Sequence, residues 1–404
     1  MSSPYTRRHA VKLFAATGIG AVGVLGAAHR ASAAPAPGIV KPLPPELFTV
    51  RGTNAETRFE ALRGTGFHTP LDRFFVRNHT ATPRLDARTW RLRIRGSGVA
   101  APRAFTLAEL KALPAVERSA FLECAGNGRS FFDSQQGQAV TGTAWRLGAI
   151  GSARWRGARL SDVLRLAGVR PEAVDVQPTG LDAAFVSDGE NLGHVRRPLP
   201  IGKAMDDVLL AYEMNGEPLP YDHGYPVRVL VPGWVGVASV KWVGDIEVAD
   251  RPLASPWNTD FYRLFGPAYP SPEGSAPLTR QTLKSAFELP EGAELRAGRT
   301  HHLTGRAWSG RGRVTAVHVR TETGGGGGGR GWGASSWARA RLHDDPRTAD
   351  WVRWSLPWRP RHPGPAALLA RTTDSDGTRQ PVGTVFNEQG YLFDAIVRHG
   401  VRVV

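Results

Sequence analysis

Two apolar patterns follow one another along the chain. From about Val50 to Ala286, strand-like runs alternate with short helical ones. Phe74-Phe75-Val76-Arg77 and Trp90-Arg91-Leu92-Arg93-Ile94 alternate or run apolar as strands do, and Val227 to Val231 and Val240 to Val248 add further strands. Thr106 to Leu110 and Arg159 to Leu164 carry helix-start residues followed by apolar positions three and four apart. The mixture lacks the regular alternation of a doubly wound sheet and predicts an α+β domain over residues 50–288. Beyond Pro290-Glu291-Gly292 the helical spacing disappears. Val314 to Val319 and Trp337 to Leu342 alternate, Trp351 to Trp358 is aromatic-rich, and Ala366 to Arg371 is a further short strand. With Asp374-Ser375-Asp376-Gly377 as a turn, this predicts an all-β sandwich over residues 289–404. The glycines from Gly324 to Gly329 belong to a loop between strands, because no sheet tolerates such a run. The six tryptophans from Trp308 to Trp358 read as sandwich core rather than as a binding surface.

The first 33 residues have a different character. Arg7-Arg8 precede an apolar Gly/Ala-rich stretch from Leu13 to Ala28 and the small residues Ala31-Ser32-Ala33, which is the anatomy of an export signal. The paired arginines point to the twin-arginine route, and hence to a periplasmic or extracellular protein. The stretch is too short and too rich in glycine to span a bilayer, and no other segment is apolar enough to do so. Gly18-Ile19-Gly20-Ala21-Val22-Gly23 matches a dinucleotide fingerprint but has neither a preceding strand nor a βαβ unit, so it is set aside. Residues 34–49, rich in proline and alanine, read as a linker.

Composition narrows the chemistry. The 404 residues carry 51 Lys+Arg against 36 Asp+Glu, a net charge of +15 that is almost wholly arginine, the side chain suited to bidentate binding of oxyanions and phosphates. There is one cysteine, Cys124, which excludes intrachain disulfides, CxxC zinc sites, cysteine-ligated iron–sulfur clusters and covalent CxxCH haem. It stands in Phe121-Leu122-Glu123-Cys124-Ala125-Gly126-Asn127-Gly128-Arg129, where glycines free the backbone to approach a ligand and an arginine favours a thiolate. On those grounds alone it reads either as a functional thiolate or as a small buried hydrophobe. Between Tyr221 and Trp242, His223, Arg228 and Lys241 punctuate apolar strands and glycine turns; they read either as a phosphate cradle or as surface charges on a hairpin. Arg77-Asn78-His79 is a third candidate knot.

Together these segments resemble the sulfite oxidase family of molybdenum enzymes. The resemblance rests on Arg77-Asn78-His79, on Cys124-Ala125-Gly126-Asn127 and on Trp145-Arg146-Leu147-Gly148-Ala149-Ile150. It extends through the stretch from Ala211 to Gly216, the His223-to-Trp242 block and Gly305-Arg306-Ala307-Trp308-Ser309-Gly310. It implies that residues 50–288 are a molybdopterin-binding catalytic domain and residues 289–404 an immunoglobulin-like dimerisation domain, with a homodimer as the consequence. It implies that Cys124 ligates molybdenum as a soft sulfur donor beside the sulfurs of the pyranopterin. Arg77, Asn78, His79, Asp182, His223, Arg228, Ser239 and Lys241 would hold the pterin and its phosphate. Arg77 and Arg129 would attract an oxyanion, Trp145 would wall the pocket, and Tyr262 would stand beside the reacting atoms.

The implied activity is oxidation of a small sulfur oxyanion such as sulfite, with electrons leaving to a separate c-type cytochrome or similar carrier, since the chain shows no haem site of its own. Two departures matter. Gln389, in Asn387-Glu388-Gln389-Gly390, stands where authentic sulfite oxidases place a substrate arginine, and Gly128 replaces an arginine found in some members. The first departure favours a second reading, a sulfane dehydrogenase-like subunit acting on protein-bound sulfur or another oxyanion. A rival of another class is a secreted, non-catalytic β-rich protein whose arginine surface holds anionic polymers. No recognition motif points to nucleic acid.

Overall fold

The computed structural model describes residues 38–404 apart from 325–331, 346 and 348; the expected export signal and most of the glycine run lie outside the described residues. Among the described residues, two five-stranded arrangements build the first half. One has the order Leu199–Pro200, Asp175–Gly180, Val243–Ala249, Leu92–Arg95, Arg103–Phe105. The other runs Glu217–Pro218, Leu209–Met214, Ile150–Arg159, Ala115–Glu123, with Arg228–Leu230 also paired to Leu209–Met214. Short helices cover the first sheet. Helix Leu107–Ala112 starts at a reciprocal cap, in which the Thr106 hydroxyl accepts from Glu109 N at 3.1 Å and the Glu109 carboxylate accepts from Thr106 N at 2.7 Å. Helix Leu160–Leu166 turns Leu160, Val163 and Leu164 onto Leu92, Ile94, Val176 and Ile246, so its three-four spacing becomes one wall of the main core.

The second half is mostly β. The strands Lys284–Phe287, His301–Trp308, Trp351–Trp358 and Arg341–Leu342 form one sheet. The strands Ala293–Leu295, Arg398–Val403, Gly364–Asp374, Val314–Gly324 and Trp332–Ala334 form the other. Leu303, Val352 and Trp354 from the first meet Val317, Val319 and Leu368 from the second in one apolar cluster. Trp308, Trp351 and Trp354 are fully buried, as core tryptophans should be.

Two expected strands differ. Phe74 to Arg77 forms no strand; Val76 alone bridges Ala55, and Phe74 and Phe75 turn into the core around Cys124. The alternating Trp337 to Leu342 run is broken: Ala338–Arg339 pairs with Val314–Gly324, while Arg341–Leu342 pairs with Trp351–Trp358 in the other sheet. Crossing between sheets requires the ladder to break at the corner. The proline-rich segment is anchored from Gly38 onward, with Ile39 and Leu43 buried and the backbone N–H groups of Val40 and Lys41 donating to the Asp222 carboxylate at 2.7–3.1 Å.

From Gly38 onward the described residues form one unit. Buried polar links join its halves. Glu123, which directly precedes Cys124, accepts from Lys284 Nζ at 2.6 Å, from Trp308 Nε1 at 3.0 Å and from Asn127 Nδ2 at 2.9 Å. Arg306 donates to Glu288 at 2.7 Å, to the carbonyls of Leu62, Gly66 and Phe67 and to the Thr65 hydroxyl, and lies 4.3 Å over the Trp351 ring. Charges buried this deeply persist only with full pairing, which both possess.

Candidate active site

The end of strand Ala115–Glu123 delivers Cys124 to the wall of a cavity. Ten of the twelve residues singled out from sequence line that cavity; Arg129 and Trp145 do not. Trp145 is buried in the apolar cluster that also packs Phe74, Phe75 and Cys124, so it supports the cysteine from behind. Arg129 reaches the site indirectly. Its guanidinium donates to the carbonyls of Gln389 and Thr143, both at 2.9 Å, and lies 5.2 Å over the Tyr391 ring. Tyr391 in turn stacks on Tyr262 at 5.1 Å with the planes 11° apart. A Cβ on Gly126 would stand 2.6 Å from that guanidinium, and one on Gly390 2.7 Å from its stem, so both positions exclude a side chain.

The cationic residues converge. Lys241 Nζ donates to Asn78 Oδ1 and, at 2.8 Å, to the Asp222 carbonyl. Arg228 donates to the carbonyls of His223 and Ser239, both at 2.9 Å, and lies 5.2 Å over the Trp155 ring. Asn78 N donates to Asn54 Oδ1 at 2.9 Å, and the Ser239 hydroxyl accepts from Val231 N at 3.0 Å. His79 Nε2 sits 3.0 Å from Arg77 and 3.0 Å from the Trp257 indole N–H, so it is the acceptor and the ring proton belongs on Nδ1.

The electrostatics show what this cluster lacks. Burial, and then the neighbouring cations, hold His79, His223 and Lys241 well below their ordinary pKa values. Burial alone pulls Arg228 down to about 9. The nearby carboxylate of Asp222 is already engaged by Val40, Lys41 and Thr82. A buried cationic group short of anions is completed by an anionic ligand such as a phosphate.

Two buried atoms on the same wall, His223 Nε2 and Asp182 Oδ1, have no hydrogen-bond partner. A pyranopterin with a terminal phosphate fits this inventory: donors for Asp182, an anion for the cations, and sulfur ligands that leave one soft position for Cys124. Among the described residues no three His, Cys, Asp or Glu side chains cluster.

Comparison with known proteins agrees with the geometry. Residues 79–257 match the family model for the oxidoreductase molybdopterin binding domain. Chicken sulfite oxidase is 36% identical over 361 residues, covering 85% of this chain and 74% of that protein. The chain belongs to the sulfite oxidase family. Mouse mitochondrial sulfite oxidase is likewise 36% identical over 88% of this chain, and the match spans 65% of that relative's length. The sulfane dehydrogenase SoxCD from Paracoccus pantotrophus superposes with a TM-score of 0.70 at 29% identity, covering 88% of this chain and 85% of that one. Family membership favours the catalytic readings over the non-catalytic rival.

Several residues escaped the sequence reading. Asp222 was hidden beside His223 in the block already singled out, although it ties the N-terminal segment to the cation cluster. Trp257 and Tyr391 lie two to five residues from positions named for other reasons, and only the fold turns them toward His79 and Tyr262. Gln389 directs its Nε2 to the Asp260 carbonyl at 2.9 Å, leaving its buried Oε1 without a partner.

Proposed function

We propose that this chain is an exported molybdenum–molybdopterin oxidoreductase that converts a small sulfur oxyanion, with sulfite the leading case, to its oxidised form. For sulfite the balance is SO₃²⁻ plus water giving SO₄²⁻, two protons and two electrons. The observation that carries the reading is the coincidence of Cys124 with the cluster of His79, His223, Arg228 and Lys241 on one cavity.

Arg228, Lys241 and Ser239 would hold the phosphate, Asp182, His223, Asn78 and His79 the pterin, and Cys124 the metal. When bound, the cofactor supplies two-electron redox chemistry and oxygen-atom transfer. The chain supplies position and charge. Arg77 attracts the anion into the cavity, and its hydrogen bond to His79 fixes its orientation. The Tyr262 hydroxyl, whose pKa burial raises, keeps its proton and remains a donor at neutral pH. Arg129 braces Tyr262 through Tyr391. Electrons then pass one at a time to a separate carrier such as a c-type cytochrome. The β half would serve as an immunoglobulin-like dimerisation domain.

A second reading is favoured by the neutral Gln389 and by the superposition on SoxCD: the oxidised sulfur belongs to a protein-bound sulfane or to another oxyanion. The test is metal analysis of the purified protein followed by sulfite-dependent cytochrome c reduction. The expected result is about one molybdenum per chain and turnover that Cys124→Ser abolishes. Parental turnover in that variant overturns the reading, and molybdenum without sulfite turnover moves the assignment to the second reading.

A further inference from the structure

Arg197 is a fully buried arginine with no carboxylate partner among the described residues. It lies two residues beyond Val195, which lines the cavity, and its own N–H donates to the Pro178 carbonyl of strand Asp175–Gly180 at 3.3 Å. Its guanidinium donates only to backbone, to the carbonyl of Trp257 and at 2.7 Å to that of Leu278, and its Nε has no partner. Both carbonyls belong to residues that touch the site. Trp257, on the short helix Pro256–Thr259, donates its indole N–H to His79, and Leu278 N donates to the Tyr262 carbonyl at 2.8 Å.

Burial lowers Arg197 to about 10, so it remains a cation at neutral pH, and its charge acts on the hydroxyls of Tyr262 and Tyr391. Burying an unpaired guanidinium costs folding stability, and an apolar residue of similar volume would spare that cost. Two carbonyls alone do not require a full charge. An anion brought to the cavity would respond to one.

We propose that Arg197 is a positioning residue that acts through Trp257 and Tyr262 and lends the cavity a buried positive charge that raises affinity for its anionic substrate. The inference rests on the proposed oxyanion-oxidising function and names a source of affinity for it outside the cavity lining.

The experiment uses the loaded protein and the variants Arg197→Met and Arg197→Lys. It measures molybdenum per chain, kcat and KM for sulfite, and competitive inhibition by sulfate, which reports anion affinity independently of turnover. In Arg197→Met, the KM and the sulfate inhibition constant should both rise about tenfold while kcat changes less than about twofold. Arg197→Lys keeps the charge but not the fork, and should return both constants to within about threefold of the parent. If Arg197→Met does not fold, Arg197→Lys decides alone: constants near the parent support the charge role, and a tenfold rise overturns it. Unchanged constants in a loaded Arg197→Met variant overturn the role of Arg197 while the enzyme assignment stands. A parental protein with neither molybdenum nor sulfite turnover overturns both.

Discussion

Lys241 shows how a residue kept for a ligand differs from one kept for the fold. Its ammonium is buried, meets only an amide oxygen and a backbone carbonyl, and is driven well below its ordinary pKa by desolvation. In the empty protein that arrangement destabilises; with a phosphate present it becomes a charge-assisted contact worth roughly 1.5–3 kcal/mol. Lys241→Met should therefore leave the thermal midpoint of the cofactor-free protein unchanged or raise it, while retained molybdenum falls about tenfold or more. Metal analysis after dialysis and thermal unfolding of the same samples read the two effects separately. Gln389 makes the converse case. Its Nε2 is spent on Asp260, and restoring a cation with Gln389→Arg should lower the sulfite KM by about tenfold. An unchanged KM would favour the sulfane reading.

Arg77-Asn78-His79, Cys124 and the His223-to-Lys241 block were legible in sequence because they stand in contiguous strings, whereas Asp182 and Tyr262 were named only through the family resemblance; ten of the twelve named residues share one cavity. Arg129 and Trp145 stand back from it because sequence proximity to a motif does not say which way a side chain faces. Arg197 was not legible at all. Its significance lies in having no acidic partner, a property of the folded surroundings.

Among elements, strand Ala115–Glu123 and strand Lys284–Phe287 illustrate how the halves are joined. Glu123 and Lys284 pair at 2.6 Å with both side chains essentially inaccessible, one residue before the cysteine. Removing one partner leaves the other charge buried alone, so Lys284→Met should destabilise by about 3–5 kcal/mol, measured by urea unfolding. Adding Glu123→Gln should recover a substantial part, because the stranded carboxylate is then gone. The alternation of Lys284-Ser285-Ala286-Phe287 gives little hint of this, and all four residues are buried. The same blindness explains Phe74 to Arg77, where apolar character signals burial but not pairing, whereas Thr106-Leu107-Ala108-Glu109 foretold its helix because a capping box is a local device.

At the scale of the whole molecule, the contact between the two halves contains a titrating group. Asp350, on the β side, is fully buried; its Oδ1 accepts from the Ser152 hydroxyl at 2.6 Å and from Trp351 N at 2.9 Å, and its Oδ2 has no partner. Ser152 belongs to strand Ile150–Arg159 of the α+β half. Desolvation raises the Asp350 pKa from 3.8 to about 7. The folded protein thus holds this proton over a pH range in which the unfolded chain has released it, so the folded state binds more protons and stability falls as pH rises. The contribution is complete below about pH 4 and is lost as pH passes through about 7, on the order of 4 kcal/mol in all. Asp350→Asn keeps the shape and an oxygen acceptor but cannot ionise. Urea unfolding of parent and variant at pH 4 to 8 should show the parent losing stability relative to Asp350→Asn as pH rises, most steeply between 4 and 7. Parallel curves would mean that water reaches the carboxyl and that the contact between the halves is looser than its packing indicates.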